Sequence, residues 1–293
     1  MKDEGTTAGR LSSTSRCRGL AAAVCFVVGG IAAGAALAQP KFDVPFVPTP
    51  MVVVDEMLRL ANVGPNDLVM DLGSGDGRTV IAAARKFGAR AVGVELDQHL
   101  LMQSEESARQ AGVEARVKFL EQDLFKTDLS AATVITMYLY PSVNLKLRPR
   151  LLALRPGTRI VSHDYDLEDW RPDRASTIRK GVFLWIVPAQ VAGRWKMRLA
   201  LPPIERVIEL ELEQRFQEVS GHARLNGLPT PVWEAKLAGT QLSFVIIDGT
   251  DGNEESGLYF TGRVAGDTME GRVTRGVGKT RAVANWRAVR VAR

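Results

Sequence analysis

Apolar and polar positions follow two different rhythms along this chain, and one rhythm gives way to the other only once. From residue 68 to 162, short apolar runs at 68–72, 91–94, 117–120, 133–137 and 159–162 alternate with helix-forming stretches. That alternation predicts strands of a parallel sheet linked by helices. Ahead of it, residues 52–61 read as an amphipathic helix with Val53, Met57, Leu58 and Leu60 on its apolar side. Pro40, Pro45, Pro48 and Pro50 keep the lead-in before it from being helical. Residues 182–187 and 195–201 read as two strands joined at Ala192-Gly193, the expected antiparallel hairpin closing the sheet. Past Pro202-Pro203 the helix signal stops. Segments 207–219, 236–247, 257–264, 268–274 and 282–291 largely alternate apolar with polar residues, separated by Asp-Gly and Gly-Asp turns. This predicts a meander of about five to seven strands, a small barrel or sandwich. The expected organisation is therefore an α/β domain over about 41–201 and an all-β domain from about 202 onward.

The first 38 residues follow neither rhythm. Arg10, Arg16 and Arg18 precede an uncharged apolar run from Leu20 to Ala38, which ends Ala36-Leu37-Ala38 before Gln39-Pro40. A basic start, an apolar stretch and a small-x-small end make a secretory signal. Nineteen residues could also just span a bilayer, so an uncleaved anchor is the alternative, although Gly and Ala fill six of the last eight places. Either way the positive-inside rule puts the body beyond the cytoplasm of a bacterial envelope, periplasmic or anchored to the inner membrane through residues 20–38. Both cysteines, Cys17 and Cys25, lie in this segment, so a cleaved chain has no disulfide and no cysteine nucleophile. With 45% apolar and 24% charged residues, the remainder is ordinary globular material. The net charge of +5 is small and scattered, which suits solubility better than nucleic-acid binding.

The richest segment is Val69-Met70-Asp71-Leu72-Gly73-Ser74-Gly75-Asp76-Gly77-Arg78. A strand runs into three alternating glycines and then a helix, a place where backbone approaches a ligand closely. A dinucleotide site wants G-x-G-x-x-G, with room for a pyrophosphate. Here Arg78 occupies the third glycine position, and Asp71 and Asp76 would repel a diphosphate. The site suits an uncharged or cationic nucleoside whose ammonium needs a carboxylate, of which S-adenosylmethionine is the common one. An NAD-type dehydrogenase is the rival. Eighteen residues after Gly77, Glu95 ends the next strand, where one carboxylate can accept both ribose hydroxyls. Three histidines and no clustered ligands give no metal site, and no G-x-S-x-G or Walker motif is present.

This glycine motif resembles that of the class I, seven-strand methyltransferases. With the lead-in Pro45-Phe46-Val47-Pro48-Thr49-Pro50, it is similar in particular to the non-SET lysine methyltransferases. These include the nucleosomal histone-lysine enzymes and, more closely, the mitochondrial enzymes that methylate carrier and ATP-synthase lysines. The resemblance covers roughly residues 45–165. It implies a Rossmann-like sheet binding S-adenosylmethionine through Asp71, Gly73, Gly75, Gly77, Glu95 and Asp123, the last toward the adenine amino group. It also implies Phe46 and Thr49 as lid contacts. Tyr138-Leu139-Tyr140-Pro141 stands where the family lines its methyl-acceptor channel, but differs from the Asn-Pro-Pro-aromatic motif of the histone enzymes. Tyr138 and Tyr140 read as channel walls or as strand-end core aromatics, and His163 as a proton acceptor or a satisfied edge histidine. The implied activity is N-methylation of lysine in a protein. A small amine, or a non-catalytic envelope binding protein on the same fold, are the alternatives. The β-rich tail has no counterpart in the mitochondrial enzymes.

Overall fold

The computed structural model describes residues 46–201, 204–225, 227–247, 257–275 and 282–292. The signal-like segment, most of the proline lead-in and Pro202-Pro203 lie outside the described residues. Helix α1 (Met51–Leu60) opens the fold and buries Val53, Val54, Met57 and Leu58. It is followed by β1 (Leu68–Leu72), α2 (Arg78–Phe87), β2 (Arg90–Glu95), α3 (Gln98–Gln110), β3 (Val117–Glu121), β4 (Val134–Met137), α4 (Pro141–Leu152) and β5 (Arg159–His163). With β6 (Arg174–Ser176) and β7 (Val182–Ile186) these make one seven-stranded sheet in the order β3-β2-β1-β4-β5-β7-β6. All pairs are parallel except those of β7, which runs against β5 and β6. The central strands are buried on both sides, which is why they read as near-continuous apolar runs. Separate cores fill the two faces, one under α1 and α2 and one under α4.

The remaining strands are β8 (Gly193–Leu201), β9 (Ile204–Arg215), β10 (Glu218–Leu225), β11 (Leu228–Ala238), β12 (Gln241–Ile247), β13 (Gly257–Ala265), β14 (Thr268–Arg275) and β15 (Ala282–Ala292). Each pairs antiparallel with its chain neighbours, and β15 returns to β8, giving a closed eight-stranded barrel. The hairpin expected from residues 182–187 and 195–201 does not form. Instead β7 pairs with the three-residue β6, an edge strand too short and too exposed to leave an apolar signal. β8 joins the barrel because Trp195, Met197 and Leu199 are buried while Arg194, Lys196 and Arg198 between them face water. A strand with one apolar face fits a barrel wall and not a sheet covered on both sides. The architecture therefore changes before β8, ahead of Pro202-Pro203. Two expected long strands also break into hairpins. Residues 207–219 turn at Phe216, whose φ is +54°, and 236–247 turn at Gly239.

Barrel and sheet meet through specific bonds. Trp170 donates its indole N–H to Gln217 at 2.9 Å and stacks on Phe216, ring centroids 5.9 Å apart. The Gln214 amide bridges Val191 N–H and the Ala189 carbonyl at 2.7 and 2.9 Å. At Gly239 the two backbones come so close that a β-carbon would fall 3.0 Å from Gly157 Cα.

Candidate functional site

Five parallel strands end at one edge of the sheet, and the ends of β1, β2 and β4 with the loop after β3 surround a cleft. Asp71 lies near the end of the central strand, pointing from β1 into this cleft, and it is almost wholly buried. Thr136 on the adjacent β4 donates to its Oδ1 at 2.6 Å. Burial pushes the Asp71 carboxyl up to about 7, against hydrogen bonds from Thr136 and Thr79 that pull it down. The charges of Glu95 and Asp76 add to the rise.

The glycine turn follows. Gly73 and Ser74 both donate N–H to the Val94 carbonyl, at 2.9 and 3.0 Å, bending the chain across the end of β2. Gly73, Gly75 and Gly77 all have φ between 54° and 76°, the left-handed region that favours glycine. Gly73 and Gly75 line the cleft, whereas Gly77 does not. Its missing β-carbon would fall 2.8 Å from Phe119 and 2.9 Å from Ser104. Gly77 was expected to touch the cofactor. It is the left-handed start of α2, packed against β3 and α3. The Ser74 hydroxyl lines the cleft, buried without a hydrogen-bond partner among the described residues.

Glu95 does more than its spacing implied. Its Oε2 accepts from Gly75 N–H at 2.9 Å, and its Oε1 from Leu96 and Asp97 N–H at 2.8 and 3.1 Å. The acid expected to take ribose hydroxyls thus also fastens the glycine turn to the start of α3, with about one lone-pair site left over. Asp97 then caps α3, accepting from His99 and Leu100 N–H at 2.8 and 3.3 Å. Asp123 lines the same cleft from the loop after β3, its Oδ1 holding Phe125 N–H at 2.9 Å. Arg150 of α4 supports that loop through the carbonyls of Leu124, Phe125 and Thr127.

Phe46 and Thr49 both reach the cleft. The Phe46 ring lies so close on the turn that a β-carbon at Gly75 would fall 2.3 Å from it. Arg78, which in the sequence only argued against a dinucleotide, has a positive task. Its Nε and Nη2 grip Asp76 at 2.9 and 2.5 Å, and its Nη1 donates to the Thr49 carbonyl at 2.9 Å. One guanidinium therefore ties the lead-in to the glycine turn.

At the other end, Tyr138 lines the cleft from the tip of β4. Its ring lies 4.3 Å from that of His163 and stacks 6.3 Å from Tyr165. Tyr140 stands outside the cleft lining, 41% exposed at the start of α4, with its ring edge-on to Tyr165 at 6.2 Å. His163 also lies outside the lining, buried behind Tyr138. Its Nε2 is 3.2 Å from the Arg179 carbonyl, which can only accept, so Nε2 carries the proton. Burial holds this imidazole below its ordinary 6.5, and Nδ1 has no partner among the described residues. Tyr165, Arg78 and Ser74 are the residues that sequence spacing passed over. Tyr165 sits in a loop with no periodic signal.

The donor set fits a cationic nucleoside. Three carboxylates, Asp71, Asp76 and Glu95, crowd one turn beside a close-approach backbone, which suits a sulfonium and an ammonium and opposes a diphosphate.

Comparison with known proteins agrees with this chemistry. A family profile described as the ANTKMT methyltransferase domain matches residues 71–174. A protein-lysine N-methyltransferase of Saccharolobus islandicus is 40% identical over 151 residues, which is 49% of this chain and 94% of that protein. Adenine nucleotide translocase lysine N-methyltransferase of Mus musculus is 36% identical over 146 residues, 47% of this chain and 63% of its own length. The solved RNA methyltransferase of Salinibacter ruber, in complex with S-adenosyl-L-homocysteine, is 52% identical. It covers 50% of this chain and 96% of that one, with a TM-score of 0.49. The chain thus spans nearly all of the Saccharolobus relative but just under two thirds of the mouse one. With most of a 40%-identical relative matched, the chain belongs to the class I S-adenosylmethionine-dependent methyltransferases, an enzyme whose cofactor is S-adenosylmethionine.

Proposed function

We propose that this methyltransferase acts on the ε-amine of lysine in a protein. The observation that carries the reading is the aromatic mouth beside the cofactor cleft, where Tyr138 and Tyr140 each pack against Tyr165. Lysine attacks as the neutral amine, and aromatic, partly desolvated walls disfavour its ammonium form. Burial, the main cause, holds the Tyr138 phenol above its ordinary value, so this wall stays uncharged at neutral pH. The names of the Saccharolobus and mouse relatives support the same acceptor.

S-adenosylmethionine, when bound, supplies an electrophilic methyl on a sulfonium. In our reading Asp71 faces its amino group, and Glu95 and Asp123 orient its nucleoside. Phe46 and Thr49 cover it and exclude water. Tyr138 and Tyr140 wall the acceptor path. His163, neutral and behind Tyr138, positions that ring from below. The rest is alignment of two reactants, which is where most of such a rate enhancement comes from.

Incubating the full chain with methyl-labelled S-adenosylmethionine and a fractionated cell extract tests this. Label recovered as methyl-lysine from hydrolysed protein is expected. Label confined to RNA or to a small amine overturns the acceptor. We further propose export or inner-membrane anchoring through residues 20–38, with the enzyme domain and the barrel as separate functional units. Cell fractionation with N-terminal sequencing decides between a start at Gln39 and a retained segment.

A further inference from the structure

An ammonium and a carboxylate already meet at the aromatic mouth. Asp164 follows directly on β5, its side chain only 11% exposed, and its N–H donates to the Gly181 carbonyl at 3.0 Å. Lys180 reaches it from the loop before β7, placing Nζ 3.2 Å from Asp164 Oδ2. The two residues hold left-handed backbone, φ +69° and +71°, and neighbouring Arg179 sits at +38°. Left-handed backbone is strained for a lysine or an arginine, and an ion pair whose lysine side chain is 72% exposed returns too little to offset that strain. Stability alone leaves the arrangement unexplained. Strain of this kind collects where a site must be held open or preset.

The surroundings say what the pair is set for. Asp164 is the foremost cause raising the Lys180 ammonium above its ordinary value, with Tyr138 and Tyr165 adding smaller contributions. So the head of a lysine already sits on this carboxylate, with both phenols near enough to act on its charge. Tyr138 belongs at once to this group and to the cofactor cleft. Three acids of the glycine turn are differently engaged: Asp71 is buried under Thr136, Asp76 is gripped by Arg78, and Glu95 holds three backbone N–H groups. Asp164 differs from them in facing a partner on a flexible, solvent-exposed stem, which another ammonium can displace.

We infer that Asp164, Tyr138 and Tyr165 form a subsite for a primary alkylammonium, and that Lys180 is its resident occupant, displaced when an acceptor lysine enters. This rests on lysine being the acceptor. Asp164 draws the incoming ammonium to the rim of the cofactor cleft, the amine gives its proton to solvent as it leaves Asp164 for the methyl group, and Lys180 acts as a built-in competitor that keeps the carboxylate paired between turnovers. The subsite selects a terminal ammonium over an amide or hydroxyl of the same reach, because an uncharged head cannot replace the Lys180 charge on Asp164.

The test is a binding titration that does not depend on turnover. The full chain, saturated with S-adenosylhomocysteine, is titrated with Nα-acetyl-L-lysine methylamide by NMR, with the norleucine analogue as the uncharged control. Lys180→Gln removes the competitor and is expected to tighten the lysine analogue about two- to fivefold. Asp164→Asn keeps a residue that tolerates left-handed backbone and is expected to weaken binding about tenfold or more. In the Asp164→Asn background, Lys180→Gln is expected to change nothing further. Unchanged affinity for S-adenosylhomocysteine in each variant shows that the fold is intact. Equal binding of the lysine analogue to all variants, binding of the norleucine analogue as tight as the lysine one, or no binding even to Lys180→Gln would each overturn the subsite. Failure of the acceptor reading looks different: the extract experiment then labels RNA or a small amine, whatever the titration gives. Methyl-lysine in the extract with a flat titration removes the subsite alone.

Discussion

The parallel sheet and the barrel are both built around large apolar cores, yet they leave opposite things open. In the sheet, β1, β2 and β4 end side by side, so Asp71, Glu95 and Tyr138 are delivered to one cleft. Antiparallel barrel strands reverse at every turn, and their ends divide between two rims. The barrel also closes on itself and fills its interior. Phe244 and Phe260 stack at 4.6 Å, and Trp286 meets Phe260 edge-on at 5.7 Å. The reactive edge comes from strand direction: a parallel sheet collects unlike side chains from distant sequence at one end, while a filled barrel supplies mass and an outer surface.

A cavity in the barrel tests this separation most strongly. Phe260→Ala is expected to lower unfolding free energy by about 3–5 kcal/mol while leaving cofactor affinity unchanged. Denaturant melts and calorimetric titration check it, and a parallel fall in affinity would show the two regions to be one energetic unit. Next in size is Glu95→Ala, with a loss of about 1.5–3 kcal/mol of cofactor binding for each charge-assisted bond removed. Because Glu95 also holds the Gly75 N–H, Glu95→Gln should recover part of the loss. Recovery to full affinity would mean that the charge is irrelevant.

The third test uses pH. Asp71 has a carboxyl raised to about 7 from its ordinary 3.8. Cofactor binding favours its charged form, so affinity should fall as pH drops below about 7, by up to about tenfold per unit. Asp71→Asn should bind weakly and without that slope. The stability sign is opposite. From about pH 4 to 7 the folded state keeps a proton that the unfolded chain has released. Stability from this group is thus present at low pH, declines as pH rises through that window, and is fully lost above it. Asp71→Asn should therefore melt higher than wild type above pH 7 in the absence of cofactor, and an unchanged or lower melting temperature there would refute the burial argument. The smallest expected effect is Arg78→Gln. Losing the bond to the Thr49 carbonyl should weaken cofactor binding by about 1 kcal/mol, seen chiefly as faster release. A release rate equal to wild type would remove the latch.

Much of the sheet was legible because its strands are continuous apolar runs ending at glycine or acid. Expected and observed bounds for β1, and for the other strands up to β5, agree to within a residue or two. The barrel was legible as alternation but not as a count, since alternation runs on through a tight turn such as that at Phe216. β6 was invisible, being three residues with little apolar content, and so β8 was assigned to the wrong sheet. In the cleft, Asp71 and Glu95 could be found from the glycine motif and its spacing, and Asp123 from the family resemblance. Gly77 could not be told from its neighbours, because a turn glycine and a packing glycine share one letter.

The order of residues sets the kind of ligand, through carboxylates placed where a dinucleotide site would need open, uncharged backbone. It determined the two architectures as well, because local periodicity reflects how many faces of a strand are buried. Which residues meet is a property of the folded chain. Tyr165 against Tyr138, Arg78 on the Thr49 carbonyl and Lys180 on Asp164 are contacts between segments 16 to 29 residues apart, made by loops and caps that carry no period. Periodicity records burial; it does not record the path of a turn, and these partnerships are set by turns.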